Sequence, residues 1–168
     1  MHLVLEVLAY AADEAVCNGS GHAVVTLHPD GSVSVADNGR GTDTRVDNEG
    51  QTVKKPVMTT KDLRFFDSSG AATLPDGNPR RGMSVVTALS EWLIHTNRRL
   101  NGCWTQRYER GAPVTPLMPI QGDGTTGTTV HFLPDARLVS NIEIPAPESC
   151  QLAATFPHLS IGVNNEWV

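Results

Sequence analysis

Two carboxylates have surroundings that suit chemistry. Glu6 lies on the side of a predicted helix opposite its apolar stripe, where a carboxylate can act as general base on a water molecule held by a bound ligand. The alternative is a solvated helix face, because surface carboxylates greatly outnumber catalytic ones. Asp37 ends a predicted strand directly before the segment NGRG at 38–41. A carboxylate there can accept a hydrogen bond from a ligand's amino group while the glycines admit the ligand to the backbone, or it can simply close an Asx turn.

A glycine-bounded segment, GNPRRG at 77–82, precedes a second predicted helix. Such helix entries expose backbone N–H groups and a positive dipole end, which suit phosphate. Pro79 contributes no N–H, however, and Arg80 and Arg81 stand where a backbone cradle favours glycine. Their guanidinium groups can instead hold phosphate oxygens bidentately, or they can be two solvated arginines in a loop.

The first carboxylate needs a helix to position it. Residues 3–17 carry apolar residues at helical spacing, and Asn18-Gly19 provides a left-handed C-cap. The predicted core-facing stripe consists of Val4, Val7, Leu8, Ala11 and Ala15. The opposite polar face consists of Glu6, Tyr10, Asp13, Glu14 and Cys17. From this face, Glu14 can pair with Arg40.

Strands and turns follow in an order that favours an α+β fold. A hairpin is predicted from 22–28 and 32–37, and a second from 92–99 and 103–110 around Asn101-Gly102. Further strands are predicted at TTVHFL and LSIGV, and a helix is predicted at 148–156. Another helix is predicted from Gly82, and its apolar stripe consists of Val85, Val86, Leu89 and Trp92. We therefore expect a mixed, mostly antiparallel sheet with helices on one face. Residues 42–81 lack a clean period and predict a short irregular helix and a long lid or binding loop.

The composition limits the classes of function. At about 150 residues per domain, 168 residues predict a single domain over 1–168. The net charge of −5 opposes direct nucleic-acid binding, although four arginines could form a local basic strip, namely Arg98, Arg99, Arg107 and Arg110. No stretch is apolar for the ~20 residues of a membrane span. The three cysteines and six histidines have no disulfide or metal-ligand spacing, which favours a reducing cytoplasm and no metal site.

Five segments, taken together and in order, resemble the ATP-binding domain of the B subunit of DNA gyrase, a member of the GHKL superfamily. They are HLVLEVLAYAADEAV, VSVADNGRG, GMSVVTALS, YERGAPVTPL and TGTTVHF. The resemblance implies a two-layer α/β sandwich of the GHKL (Bergerat) type. It also implies ATP as the ligand and ATP hydrolysis as the activity of the family.

The resemblance implies a role for each matching residue. Glu6 matches the general base for attack on the terminal phosphate, and Asp37 matches the aspartate that binds the adenine amino group. Thr128 matches the threonine that shares a water molecule with that aspartate. The glycines of the adenine turn match Gly39 and Gly41, and those of the phosphate lid match Gly77 and Gly82.

The departures from the family pattern concern the phosphate side. Tyr10 stands where the family places a magnesium-binding asparagine, and a phenol is a poor ligand for a hard cation. The lid, which resembles G-L-H-G-V-G in the family, reads GNPRRG here. GRGTDT departs from Gly-Arg-Gly-Ile-Pro, and DLRFFD replaces a lysine-bearing glycine segment. The sequence also predicts no counterpart of the family's dimerisation arm or of its transducer domain.

The sequence therefore predicts a divergent ATP-binding module. The adenine pocket is retained, Arg80 and Arg81 serve as positive clamps, magnesium binding is doubtful, and hydrolysis is weak or absent. The alternative is a non-catalytic regulatory module that mimics a topoisomerase ATPase domain. Such a module binds a topoisomerase-related protein or an inhibitor of the adenine site.

Overall fold

The computed structural model describes residues 1–42, 45–46, 48, 52–53, 72–140, 151–152 and 154–166. The helices are α1 (His2–Asn18) and α2 (Met83–Ala88). The strands are β1 (Gly21–Leu27), β2 (Val33–Asp37), β3 (Arg45–Val46), β4 (Thr52–Val53), β5 (Ser90–Arg98), β6 (Trp104–Glu109), β7 (Ala112–Pro113), β8 (Met118–Pro119), β9 (Gly127–Pro134) and β10 (Leu159–Asn165). Within these ranges, no helix is long and apolar enough to cross a bilayer.

One eight-stranded sheet carries the fold, in the order β10-β1-β2-β9-β5-β6-β7, with β8 also paired to β6. The β1–β10 pair is parallel and the other pairs are antiparallel. Alternate residues point to the helices: Val25, Val35 and Val130 form one row across three strands and are all buried. The predicted mixed, mostly antiparallel sheet and α+β fold class are confirmed, and the arrangement is consistent with a GHKL-type sandwich.

Helix α1 packs across this sheet with its predicted stripe buried. It ends at Asn18, and Gly19 takes the left-handed conformation (φ 83°) that glycine adopts without strain. The polar face of α1 does not all meet solvent, however. Glu6 is fully buried, because residues 80–83 lie against this part of the helix. The simple solvated-face interpretation of Glu6 is therefore wrong.

The second helix is shorter than the spacing predicted. α2 ends at Ala88, and Trp92 belongs to β5, which pairs with both β6 and β9. The predicted helical stripe through Leu89 and Trp92 is therefore wrong, because pairing along both edges of β5 outweighs a local spacing that also fits a helix. Both predicted hairpins are confirmed.

Other predictions fall partly outside the described residues. In the predicted loop at 42–81, the described residues include the β3–β4 pair and the segment 72–81, which reverses direction through a turn at 74–78 so that Thr73 bridges Pro79. For the predicted helix at 148–156, the described residues 151–152 and 154–155 are helical.

Burial of His95 predicts an acid-sensitive core. This histidine pairs with Val130 in the buried row of the sheet, and its ring meets Trp104 edge-on at a centroid distance of 5.0 Å. Burial lowers the pKa of His95 from 6.5 to about 4. The unfolded chain therefore binds the proton more readily, so stability is complete above pH 6.5 and is lost as the pH falls towards 4.

We expect the His95 contribution to the free energy of unfolding to be about 2 kcal/mol smaller at pH 5 than at pH 7.5. Urea unfolding at both pH values, in the unchanged protein and in His95→Leu, checks this. The His95→Leu protein should lose less stability on acidification, by about that amount. Equal losses in both proteins would contradict it, and His22→Leu, at an exposed position, is the matched control.

Candidate functional site

A cavity of about 500 Å³ lies between α1 and the loop that follows β2. The polar face of α1 lines one side of it. The other side is lined by the last residue of β2 and the loop after it, by the first residues of β9, and by the residue that follows β5. The lining residues are Tyr10, Asp13, Glu14 and Cys17 from α1, with Asp37, Arg40, Gly41, Thr42, Arg99 and Thr128. The fold thus brings the sequence-predicted Asp37, Gly41 and Thr128 to one cavity.

Asp37 is held in place by three hydrogen bonds. Its Oδ1 accepts one from the Gly39 N–H at 2.8 Å, which closes the Asx turn. Its Oδ2 accepts one from the Thr128 N–H at 3.3 Å and another from the Thr128 hydroxyl. An ionised carboxylate has about four acceptor positions. The Asx turn is therefore present, and the three bonds leave about one acceptor position of the carboxylate unused.

Glycines allow the close backbone approaches around Asp37. Gly127 has a φ of 127°, and a Cβ there would lie 1.9 Å from the Asp37 carbonyl oxygen. Gly41 has a φ of 75°, and a Cβ there would lie 2.4 Å from the Arg98 carbonyl oxygen. At Gly39 a Cβ would lie 2.7 Å from the Glu14 side chain. Larger residues at these positions would separate the strands and α1, so the cavity depends on all three glycines.

Asn97 is a positioning residue that the sequence analysis missed. It is fully buried on β5; its Oδ1 accepts a hydrogen bond from the Thr42 N–H at 2.6 Å, and its Nδ2 donates one to the Thr42 carbonyl at 3.1 Å. These bonds anchor the loop that carries Gly41. An asparagine within a strand pattern gives no signal of such a long-range contact.

The expected pairing of Glu14 with Arg40 is confirmed. The Arg40 Nε donates to Glu14 Oε1 at 2.5 Å, and the Arg40 backbone N–H donates to the same oxygen at 3.1 Å. This hydrogen bonding lowers the pKa of Glu14 from 4.5 to about 2. The pair ties α1 to the loop after β2.

Glu6 lies in a separate, buried cluster that does not line the cavity. Its Oε1 accepts a hydrogen bond from the Arg81 N–H and its Oε2 accepts one from the Gly82 N–H, both at 2.7 Å. His2 Nε2 lies 3.3 Å from Oε1, while His2 Nδ1 lies 2.7 Å from Asp76 Oδ2. The structure therefore brings Glu6, Arg81 and Gly82 together, as a carboxylate that holds the backbone entering α2.

Arg80 connects this cluster to the cavity wall. Its guanidinium lies over the Tyr10 ring at 4.6 Å, and its Nη1 lies 2.8 Å from Asp13 Oδ2. The side chain is only 13% exposed, so the solvated-loop interpretation is wrong for Arg80. Gly77, with a φ of 81°, closes a turn with Leu74 and does not line the cavity.

The surroundings of Tyr10 do not fit a magnesium ion. The phenol oxygen accepts a hydrogen bond from the Met83 N–H at 3.3 Å, and the Arg80 cation covers the ring. A hard dication favours carboxylate and carbonyl oxygens, whereas the groups at Tyr10 are a phenol and a guanidinium, and the nearby Asp13 carboxylate is paired with Arg80.

A second polar cluster lies near the turn between β1 and β2. His28 Nε2 lies 3.0 Å from the Ser34 hydroxyl, and His28 Nδ1 lies 2.8 Å from Glu166 Oε2. This order of groups resembles a serine-histidine-carboxylate triad. Ser34 lies on β2, however, whose backbone is paired on both edges, so the strand's N–H groups are used by the sheet rather than forming an oxyanion site. The cluster therefore connects β10 to the turn between β1 and β2.

The four arginines of the proposed basic strip are each engaged. Arg98 lies 3.2 Å from Asp123, Arg107 lies 3.2 Å from Glu109, and Arg110 lies 3.7 Å from Asp135. Arg99 donates a hydrogen bond from Nη1 to the Gly41 carbonyl oxygen at 2.9 Å. Neighbouring carboxylates reduce the positive potential that a phosphate backbone requires, so this arrangement does not favour a nucleic-acid surface.

Comparison with known proteins shows clear similarity to topoisomerase B subunits. The DNA gyrase B subunit of Thermotoga maritima is 41% identical over 143 residues, which is 84% of this chain and 22% of that protein. The DNA topoisomerase 4 B subunit of Bacillus subtilis is 36% identical over 140 residues, covering 83% of this chain and 21% of that protein. The DNA gyrase B subunit of Archaeoglobus fulgidus is 34% identical over 170 residues, which is 96% of this chain and 26% of that protein.

The chain thus spans about a fifth to a quarter of the length of these relatives. No protein-family model matches it.

Proposed function

Because the chain is a gyrase-B-like domain of the GHKL type, we propose that it binds an adenine nucleotide in the cavity beside Asp37. The observation that carries this proposal is the Asp37 carboxylate, fixed by Gly39 and Thr128 at the cavity wall. Its remaining acceptor capacity suits the exocyclic amino group of adenine, which is a donor. Gly41 lines the same cavity as Asp37 and Thr128.

The phosphate side supports weak or absent hydrolysis. A general base must reach the water molecule that it activates. Glu6 is instead fully buried outside the cavity lining, where it holds the N–H groups of Arg81 and Gly82. When ATP carries Mg²⁺, the metal neutralises charge that develops on the phosphates, a contribution of several kcal/mol. The residues around Tyr10 do not fit that ion, so we propose that this chain binds nucleotide without efficient turnover.

The alternative is a non-catalytic interaction module for a topoisomerase-related protein or an inhibitor of the adenine site. The observation that favours it is the packing of Arg80 between Tyr10 and Asp13, which occupies the space next to the cavity. Such a module would bind adenosine or an adenine-like inhibitor as well as it binds ATP. The two proposals therefore differ in whether phosphates strengthen binding.

Thermal unfolding with adenosine, ADP, ATP and, as a control, guanosine tests nucleotide binding. A ligand at about 100 times its dissociation constant stabilises the folded state by about 2.7 kcal/mol. We expect the adenine compounds to raise the Tm and guanosine to leave it unchanged. No shift with any adenine compound would contradict the proposal, and an equal shift with guanosine would remove the role assigned to Asp37.

A further inference from the structure

We propose that Arg80 is a built-in cation for the polyphosphate of the bound nucleotide, released from Asp13 when the nucleotide enters, so that phosphate affinity does not depend on a divalent metal. This inference rests on the proposed adenine-nucleotide binding. Arg80 supplies the positive charge that the phosphates contact, and Asp13 is the carboxylate that holds Arg80 in their absence. It concerns the residues between the cavity and the start of α2.

Arg80 has one guanidinium nitrogen with a carboxylate partner and two without a hydrogen-bond partner among the described residues. Its Nη1 has a carboxylate partner in Asp13 at 2.8 Å. Its Nε and Nη2 are buried and have no hydrogen-bond partner among the described residues. These two nitrogens share one edge of the planar guanidinium, and that edge is the one that binds carboxylate and phosphate oxygens in pairs.

Leaving these donors unpaired is costly. A buried donor without an acceptor destabilises a protein, so buried polar groups are normally paired, and exceptions need an explanation. The stacking of the guanidinium on Tyr10, at 4.6 Å, offsets part of the cost but supplies no acceptor for the in-plane N–H groups. A bidentate oxyanion would supply both acceptors at once.

Arg80 lies next to the cavity rather than in its lining. Both of its described partners, Tyr10 and Asp13, line the cavity that contains Asp37. The Asp13 side chain is 64% exposed, so its ion pair with Arg80 is partly screened by solvent and inexpensive to exchange. Because the free edge is buried, the Arg80 side chain must turn to present that edge to a polyphosphate, and this movement breaks the contact of Nη1 with Asp13. The polyphosphate carries more negative charge than Asp13 and takes both free N–H groups.

The same neighbourhood is unfavourable for a divalent cation. Tyr10 already accepts a hydrogen bond from the Met83 N–H, and the positive guanidinium covers its ring. A cation beside Arg80 would meet like charge. Positive charge at this end of the site therefore comes from the protein.

Equilibrium binding of adenosine and ATP tests the proposal, each measured by calorimetry in EDTA and in excess Mg²⁺. In the unchanged protein we expect ATP to bind at least tenfold more tightly than adenosine in EDTA, with less than a twofold change on adding Mg²⁺. Arg80→Gln should remove that tenfold advantage and leave adenosine affinity unchanged. Asp13→Asn should increase the advantage about threefold or more, because it frees Arg80 without removing the cation.

Arg107→Ala is the matched control, because Arg107 pairs with Glu109 and stacks on Trp92 away from the cavity. It should not change either affinity. An ATP advantage that appears only with Mg²⁺, or one that survives Arg80→Gln, would overturn the role of Arg80. A chain that binds neither adenosine nor ATP would instead refute the adenine-nucleotide proposal, so the two failures are distinguishable. Asp13→Asn decides the case if Arg80→Gln does not fold.

Discussion

Replacing Asp37 with asparagine is expected to weaken adenosine binding by roughly 10- to 100-fold. A hydrogen bond to a charged group contributes about 1.5–3 kcal/mol, and every 1.4 kcal/mol is tenfold in affinity. The asparagine can still accept from Gly39 through its oxygen, but its NH₂ group then faces the Thr128 N–H and the incoming adenine amino group. Donors would meet donors on that side of the pocket. Calorimetric titration of adenosine into both proteins measures the change.

The matched control for this substitution is Asp30→Asn. Asp30 closes a similar turn, since its Oδ1 accepts hydrogen bonds from the Ser32 N–H at 2.9 Å and from the Ser32 hydroxyl at 2.6 Å, but it lies outside the cavity. We expect it to lower stability without weakening adenosine binding. Equal adenosine affinity in Asp37→Asn and the unchanged protein, with both folded by circular dichroism, would refute the role of Asp37.

Replacing Glu6 with alanine is expected to lower the free energy of unfolding by about 3 kcal/mol, with little change in nucleotide turnover. The loss arises because the Arg81 and Gly82 N–H groups would lose their acceptor, and a buried donor left unpaired costs about 1–3 kcal/mol. His2 would also lose one of its two carboxylate partners. Urea unfolding gives the stability, and phosphate release gives the turnover.

Glu109→Ala serves as the control for stability, because this carboxylate is 52% exposed and its pair with Arg107 contributes about 0–1 kcal/mol. An alanine variant at Glu6 that is as stable as the Glu109→Ala protein would contradict the structural role. A measurable ATPase rate in the unchanged protein that disappears in Glu6→Ala would show that Glu6 works as a general base and that the chain is an active enzyme.

Much of the fold was predictable because its signals are local. The stripe of α1, its Gly19 cap and the two hairpins each depend on residues close together in the chain. The extent of α2 was not predictable in this way. Val85, Val86, Leu89 and Trp92 fit a helical spacing, and only the pairing of β5 with strands far along the sequence assigns Trp92 to the sheet.

In the candidate site, too, the residues with local sequence signals were predictable and the long-range contacts were not. Asp37 and Gly41 occur in one short motif, so the sequence alone was enough to propose them as candidates, and the fold places them at the cavity with Thr128. The buried state of Glu6 and the contact of Asn97 with Thr42 depend on segments more than 50 residues apart. The stacking of Arg80 on Tyr10 has the same origin. Periodicity shows which face of a helix is polar, but it does not show which segment covers that face.

A crystal structure of the chain grown with ADP tests adenine binding at Asp37 most directly. We predict that the adenine amino nitrogen lies within about 3.2 Å of an Asp37 carboxylate oxygen, with the ring against Gly41. An ADP molecule bound elsewhere, or crystals that exclude ADP at concentrations that saturate binding in solution, would contradict the assignment of this cavity as the nucleotide site.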